Sequence, residues 1–108
     1  MMTREEEGVL KRFKRVLRDT LKDDSLEVML FGSKARGDDR QDSDLDLLVI
    51  VSGKSWQLAD QVYGVATDLL LETGICLSPK VLSREEYDRL MRDETPFLMN
   101  VAAEGVAV

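Results

Sequence analysis

Seven residues constrain this chain more than any others. Leu45–Val51 reads L-D-L-L-V-I-V, and apart from Asp46 every side chain is aliphatic. A strand apolar on both faces is a central strand covered on each side. Helices must therefore lie on both faces of a small sheet. The chain has 108 residues, which fits one domain over residues 1–108. A domain of that size hides roughly two-thirds of its unfolded surface, enough for a core without cross-links.

The covering helices are legible from their periodicity. Between Arg4 and Lys22, Leu10, Phe13, Leu17 and Leu21 keep helical spacing. Lys11, Arg15, Arg18 and Lys22 form a second stripe. It reads as a solvated face or as a contact for an acidic partner or a nucleotide tail. Leu26–Phe31 is a short apolar strand, and Lys34–Ser43 a turn of helix followed by a polar, acidic loop.

Ser55–Thr73 is a helix with Leu58, Val62, Val65 and Leu69 on its core row and Ala59, Ala66 and Leu70 beside it. Gly74 suits its C-terminal stop. Ile75–Leu82 is a third strand, and Pro79, which lacks an N–H, places it at an edge or a bulge. Ser83 and Glu86 form a capping box for a helix running to about Asp93. Thr95-Pro96 starts a last helix, which Gly105 stops. The expected order is α-β-(α)-β-α-β-α-α, an α/β (α+β) domain with a small mixed sheet.

Composition removes whole classes of chemistry. The chain has no His, which excludes Ser-His-Asp and Cys-His catalysis and histidine zinc sites. One cysteine, Cys76, excludes an intrachain disulfide and is expected to be a small buried apolar residue. With 15 basic and 21 acidic residues the net charge is −6, so bulk-charge binding to nucleic acid is not expected. No apolar run reaches the roughly 20 residues of a membrane span. The charged start, Met1–Glu7, has no hydrophobic segment behind it, so a cytoplasmic location is expected. Carboxylates, Lys, Arg, hydroxyls and backbone amides remain, the tools of phosphate and Mg²⁺ sites.

They converge on residues 31–51. Gly32-Ser33 lies where an apolar strand turns into a short helix. Glycine permits the tight turn and a close backbone approach. The N–H groups of a helix start, with the Ser33 hydroxyl, form an anion cradle to which Arg36 can add a cation. Ten residues later comes Asp44-x-Asp46, at the mouth of the central strand. Alternation along a strand puts both carboxylates on one face, about 7 Å apart. They repel unless a cation sits between them, and Mg²⁺ takes such oxygen ligands alongside substrate phosphates.

The spacing Gly32-Ser33-(ten residues)-Asp44-x-Asp46 between two apolar strands resembles the signature of the polymerase-β-like nucleotidyltransferases. More narrowly, G-S-K-A-R-G followed by S-D-L-D-L resembles the minimal nucleotidyltransferases, which often occur as antitoxins beside a HEPN-domain toxin. P-F-L-M-N-V-A-A-E-G-V at Pro96–Val106 resembles that group's terminal helix and Glu-Gly turn. The resemblance implies the polymerase-β-like fold, with Gly32 and Ser33 holding the triphosphate of ATP and Asp44 and Asp46 binding Mg²⁺. It implies transfer of AMP to a tyrosine of a HEPN partner, silencing the toxin.

The chain departs from that family in one respect. The third strand normally carries a third carboxylate, yet Ile75–Ser83 has no Asp or Glu, and Ser78 falls nearest the position. Glu72 and Glu85 flank this strand on helices. A catalytic metal would be short of a ligand, so the alternative is an inactive relative that neutralises its HEPN partner by contact alone.

Overall fold

The computed structural model describes residues 2–37, 44–53 and 55–108. Its elements in chain order are α1 (Arg4–Leu21), β1 (Glu27–Phe31), α2 (Ser33–Arg36), β2 (Leu45–Val51) and α3 (Trp56–Thr73), then β3 (Leu77–Ser83), α4 (Arg84–Arg92), α5 (Pro96–Glu104) and β4 (Val106–Ala107). The expected loop acids Asp38, Asp39 and Asp42 lie outside the described residues.

Four strands form one mixed sheet in the order β3-β2-β1-β4. β1 is antiparallel to β2 and β4, whereas β2 and β3 run parallel. β2 is therefore central, as its composition requires, and six of its seven residues are completely buried. β3 is an edge strand, the place where Pro79 forfeits least. It begins at Leu77 rather than Ile75. β4 was not expected; its two residues pair with Met29 and Leu30 of β1.

The two sheet faces are covered unequally. On one, Val28, Leu30, Leu47 and Val49 pack beneath α1 and α3, which contribute Phe13, Leu17, Val62 and Leu69. On the other, Leu48, Ile50 and Leu82 pack against Leu98 and Val101 of α5, with Tyr87, Leu90 and Phe97 at the border. Register makes the second face easy to follow. Glu27, Ile50 and Leu82 form one row across the sheet; Met29, Leu48 and Lys80 form the next, and Phe31, Asp46 and Ser78 the last. The covering layer buries Leu48 and Ile50, leaves Asp46 half-buried and leaves Ser78 exposed.

The helix ends follow local chemistry. Ser83 and Glu86 make the expected capping box. Thr3 and Glu6 make another, with Glu6 N–H to Thr3 Oγ1 at 3.1 Å and Thr3 N–H to Glu6 Oε1 at 2.9 Å. Gly74 ends α3 in the left-handed conformation. The basic residues Lys11, Arg15, Arg18 and Lys22 are all exposed. No helix among the described residues is long and apolar enough to cross a membrane.

Candidate active site

The site lies where β1 ends and β2 begins, so an antiparallel pair brings Gly32 beside Asp46. Gly32 has φ +77° and ψ −157°, a region that side chains rarely adopt. A Cβ built there would collide with the Asp46 carboxylate, lying 3.2 Å from its Cγ. Glycine is required here both for the backbone conformation and for the close approach. Ser33 then opens α2, whose first N–H groups have no intrahelical partners. Gly37 closes it with φ +81°, its N–H bonded to the Ser33 carbonyl at 2.9 Å.

Asp46 is held in a poor environment for an anion. Burial pushes its carboxyl above the ordinary carboxylate range, Asp44 pushes it further, and Arg36 partly offsets both. Asp44 stands exposed just before β2. Its neighbour across the β2–β3 entrance is Cys76, whose carbonyl accepts the Leu45 N–H at 3.0 Å. Cys76 is half-buried, not buried as expected. Burial and then the Asp44 carboxylate raise its thiol, so it is less ready to become a thiolate than a free cysteine.

Arg36 is exposed and contributes to two places. Its charge is felt at Asp46, while its Nη1 lies 3.1 Å from Glu104 Oε2 on α5. Between α2 and α5 is a cleft of about 280 Å³, bordered by Phe31, Gly32, Arg36, Phe97, Asn100 and Glu104. Phe31 and Phe97 meet edge to face at 5.3 Å, and the Lys80 ammonium lies 4.5 Å from the Phe97 ring centre. A larger hollow of about 510 Å³ sits at the opposite end of the sheet, beside Ser52, Trp56, Ser83 and Glu85. Its lining includes Glu85 and Glu86 but not the Gly32 turn, Asp46 or Arg36, so size alone does not locate the chemistry.

The donor set fits a hard cation. Asp44, Asp46 and the Ser78 hydroxyl offer oxygen ligands, the chemistry Mg²⁺ selects, and histidine is absent from the chain. Among the described residues no cluster of three or more His, Cys, Asp or Glu could hold a metal. Ser78 is in register with Asp46 and therefore shares its face. The β3 position expected for a further acid is thus a serine beside the pair.

One functional neighbour escaped the sequence reading. Lys34, inside the Gly-Ser turn, does not point to the rim. It is buried, with Nζ 2.9 Å from Glu6 Oε2 of α1. Burial opposes ionisation of Glu6, but the Thr3 N–H and the Lys34 ammonium together hold its carboxyl below the usual range. The pair fastens α2 to α1 and so steadies the turn that carries Gly32 and Ser33. The signal was present: Glu6 heads the apolar row continued by Leu10, Phe13 and Leu17, and an acid there needs a partner.

Comparison with known proteins gives a consistent picture. A family profile described as a nucleotidyltransferase domain matches residues 10–94. Two Methanocaldococcus jannaschii proteins, each named "Putative protein adenylyltransferase", are similar along nearly their whole length. MJ0604 is 32% identical over 100 residues, covering 93% of this chain and 94% of that protein. MJ0141 is 32% identical over 101 residues, covering 93% and 95%. A solved structure entitled "Crystal structure of the toxin-antitoxin with AMP-PNP" shares the fold, with a TM-score of 0.58 at 20% identity, covering 97% of this chain and 72% of the other.

Proposed function

This chain belongs to the nucleotidyltransferase domain family, of the minimal type, and on that premise we propose that it is a Mg²⁺-dependent adenylyltransferase antitoxin. It takes AMP from ATP and places it on a HEPN-type toxin in the cytoplasm. The observation that carries the reading is the Asp46 carboxylate, half-buried beside Asp44 and set against the glycine turn at Gly32. A carboxylate kept short of countercharge inside a family that handles nucleotides is poised for a metal–nucleotide complex. The adenylyltransferase names of its relatives and the toxin–antitoxin title of its structural neighbour support the choice of substrate and partner.

In the proposed reaction an acceptor hydroxyl loses its proton to water and its oxygen bonds to the α-phosphorus of ATP. The bond from that phosphorus to the β-phosphate bridging oxygen breaks, and pyrophosphate leaves with that electron pair. Asp44 and Asp46 would hold the divalent ion, which would supply positive charge to the α-phosphate and the departing pyrophosphate. Gly32 exposes backbone to the triphosphate, the Ser33 hydroxyl donates a hydrogen bond to a phosphate oxygen, and Arg36 keeps the rim positive.

A second reading keeps the partner and drops the turnover: an antitoxin acting by contact alone. Ser78 favours it, because a hydroxyl beside Asp46 is a weaker metal ligand than a carboxylate. Transfer of α-labelled AMP to the partner separates the readings, using wild type, Ser78→Asp and Asp46→Asn. Adenylylation by wild type that Asp46→Asn abolishes supports the enzyme, and a faster Ser78→Asp identifies serine as the limiting ligand. Toxin neutralisation with no transfer by any of the three moves the assignment to the binder.

A further inference from the structure

Resting on the adenylyltransferase reading above, we propose that Lys80 is a further catalytic residue, whose ammonium meets the attacking oxygen of the acceptor and stabilises the charge that builds there. Direction decides where such help is needed. In-line displacement puts the attacking and leaving oxygens on opposite sides of the α-phosphorus. Gly32, Ser33 and Arg36 all follow β1, so the departing pyrophosphate lies on the β1 side of Asp46. The acceptor then arrives from the β3 side, over Ser78.

Ser78 brings no charge to that side, and Ile75–Ser83 has no acid with which to hold a second cation. Lys80 supplies a cation directly. Two residues past Ser78, it returns to the same face of the sheet. Its register with Leu48 sets its Cα one strand across and two residues along from Asp46, about 8 Å away. A flexible four-carbon stem suits that reach. Arg36 and Lys80 thus flank Asp46, one on the leaving side and one on the attacking side.

The seat of Lys80 differs from that of a solvated surface lysine. Its ammonium lies 4.5 Å from the Phe97 ring centre, and Phe97 is braced edge to face on Phe31. Both rings border the cleft beside Gly32 and Arg36, so the cation is kept at the margin of the site. A ring attracts a cation through its quadrupole and carries no net charge, so the ammonium stays uncompensated. Arg12, Lys34, Arg36 and Arg84 each pair with a glutamate; among the described residues Lys80 has no acid partner. In the transfer the acceptor proton goes to water, the acceptor oxygen bonds to the α-phosphorus, and pyrophosphate leaves with the electron pair. Lys80 keeps its own protons and donates one N–H to the attacking oxygen as negative charge develops on it. It does at that oxygen what a second metal ion would do.

Two measurements on wild type, Lys80→Met and Lys80→Arg test the role. One is single-turnover transfer of α-labelled AMP to the HEPN-type partner at saturating Mg²⁺–ATP. The other is Mg²⁺-dependent affinity for α,β-methylene-ATP, which cannot release pyrophosphate. Lys80 is exposed, so both variants should melt as wild type does. Lys80→Met should slow transfer at least about tenfold and leave the analogue's affinity unchanged, because the attacking oxygen is not part of the nucleotide. Lys80→Arg should recover most of the rate by restoring the cation. Undiminished transfer by Lys80→Met, an equal loss of analogue affinity, or a Lys80→Arg as slow as Lys80→Met overturns this role and leaves the adenylyltransferase reading standing. No transfer by wild type overturns both.

Discussion

Glu6 on α1 and Asp46 on β2 are both carboxylates drawn partly out of water, and they respond in opposite directions. Glu6 has the Thr3 N–H and the Lys34 ammonium within 3 Å and is held below the ordinary range. Asp46 has burial, a second carboxylate and only the partial offset of Arg36, and is held above it. The difference is one of supplied countercharge. One acid is finished by the protein and serves the fold; the other is left unfinished, where a cation and a phosphate chain would complete it. A desolvated charge is tolerable when paired and costly when not, so the unfinished one is the basis of the proposed site.

The comparison breaks most severely at Lys34. Lys34→Met leaves Glu6 as an uncompensated buried acid and should cost about 3 kcal/mol of stability. Combining it with Glu6→Gln should recover most of that loss, since a buried pair replaced by neutral groups can be near neutral. Urea denaturation of the two single variants and the double variant measures the coupling. A double variant no more stable than Lys34→Met alone would deny that Glu6 is the group Lys34 satisfies.

Gly32→Val comes next. A β-branched residue forced to φ +77° costs about 1–2 kcal/mol, and its Cβ must displace the Asp46 carboxylate. Triphosphate binding should disappear, whereas Ser33→Ala should lose only about 0.5–1.5 kcal/mol of binding, one hydroxyl hydrogen bond. Filter binding of labelled ATP in Mg²⁺ ranks them. Equal losses would remove the special role of the glycine turn.

The smallest effect is the dependence on pH, and its sign differs between the two acids. Glu6, with its folded pKa lowered, contributes stability that is complete above its unfolded pKa and is lost as pH falls through the folded value. Asp46, with its folded pKa raised, penalises the native state above that value and does nothing below its unfolded one. Asp46→Asn should therefore raise the melting temperature slightly at neutral pH, and Glu6→Gln should lower it. Both differences should vanish in acid below the folded and unfolded pKa values. Calorimetric melting across pH checks the two curves; parallel curves would erase the contrast.

Much of this was legible beforehand because it follows from periodicity and spacing. An aliphatic run like Leu45–Val51 has no other home than the middle of a sheet, and the Gly32-Ser33 to Asp44-x-Asp46 spacing places a turn beside two carboxylates on neighbouring strands. What escaped depends on contacts distant in sequence. Lys34 is buried because Glu6, 28 residues earlier, reaches it; a lysine in a polar stretch otherwise reads as solvated. β4 is two residues long, too short for any alternation, and exists because β1 offers an edge. Cys76 is half-buried because β3 starts one residue after it, leaving its thiol beside Asp44. Only the family resemblance put Ser78 near the missing third carboxylate; its register with Asp46 depends on the strand pairing, and its exposure on where the α4–α5 layer stops.

Isothermal titration with Mg²⁺ and ATP tests the central claim most directly, run on wild type, Asp44→Asn and Asp46→Asn. Wild type should bind the nucleotide only when the metal is present. Both asparagine variants should lose that binding while keeping a native circular dichroism spectrum, because each removes a repelling charge and no core contact. Wild-type affinity indifferent to Mg²⁺, or undiminished binding in both variants, would contradict the assignment of Asp44 and Asp46 as the metal–nucleotide site.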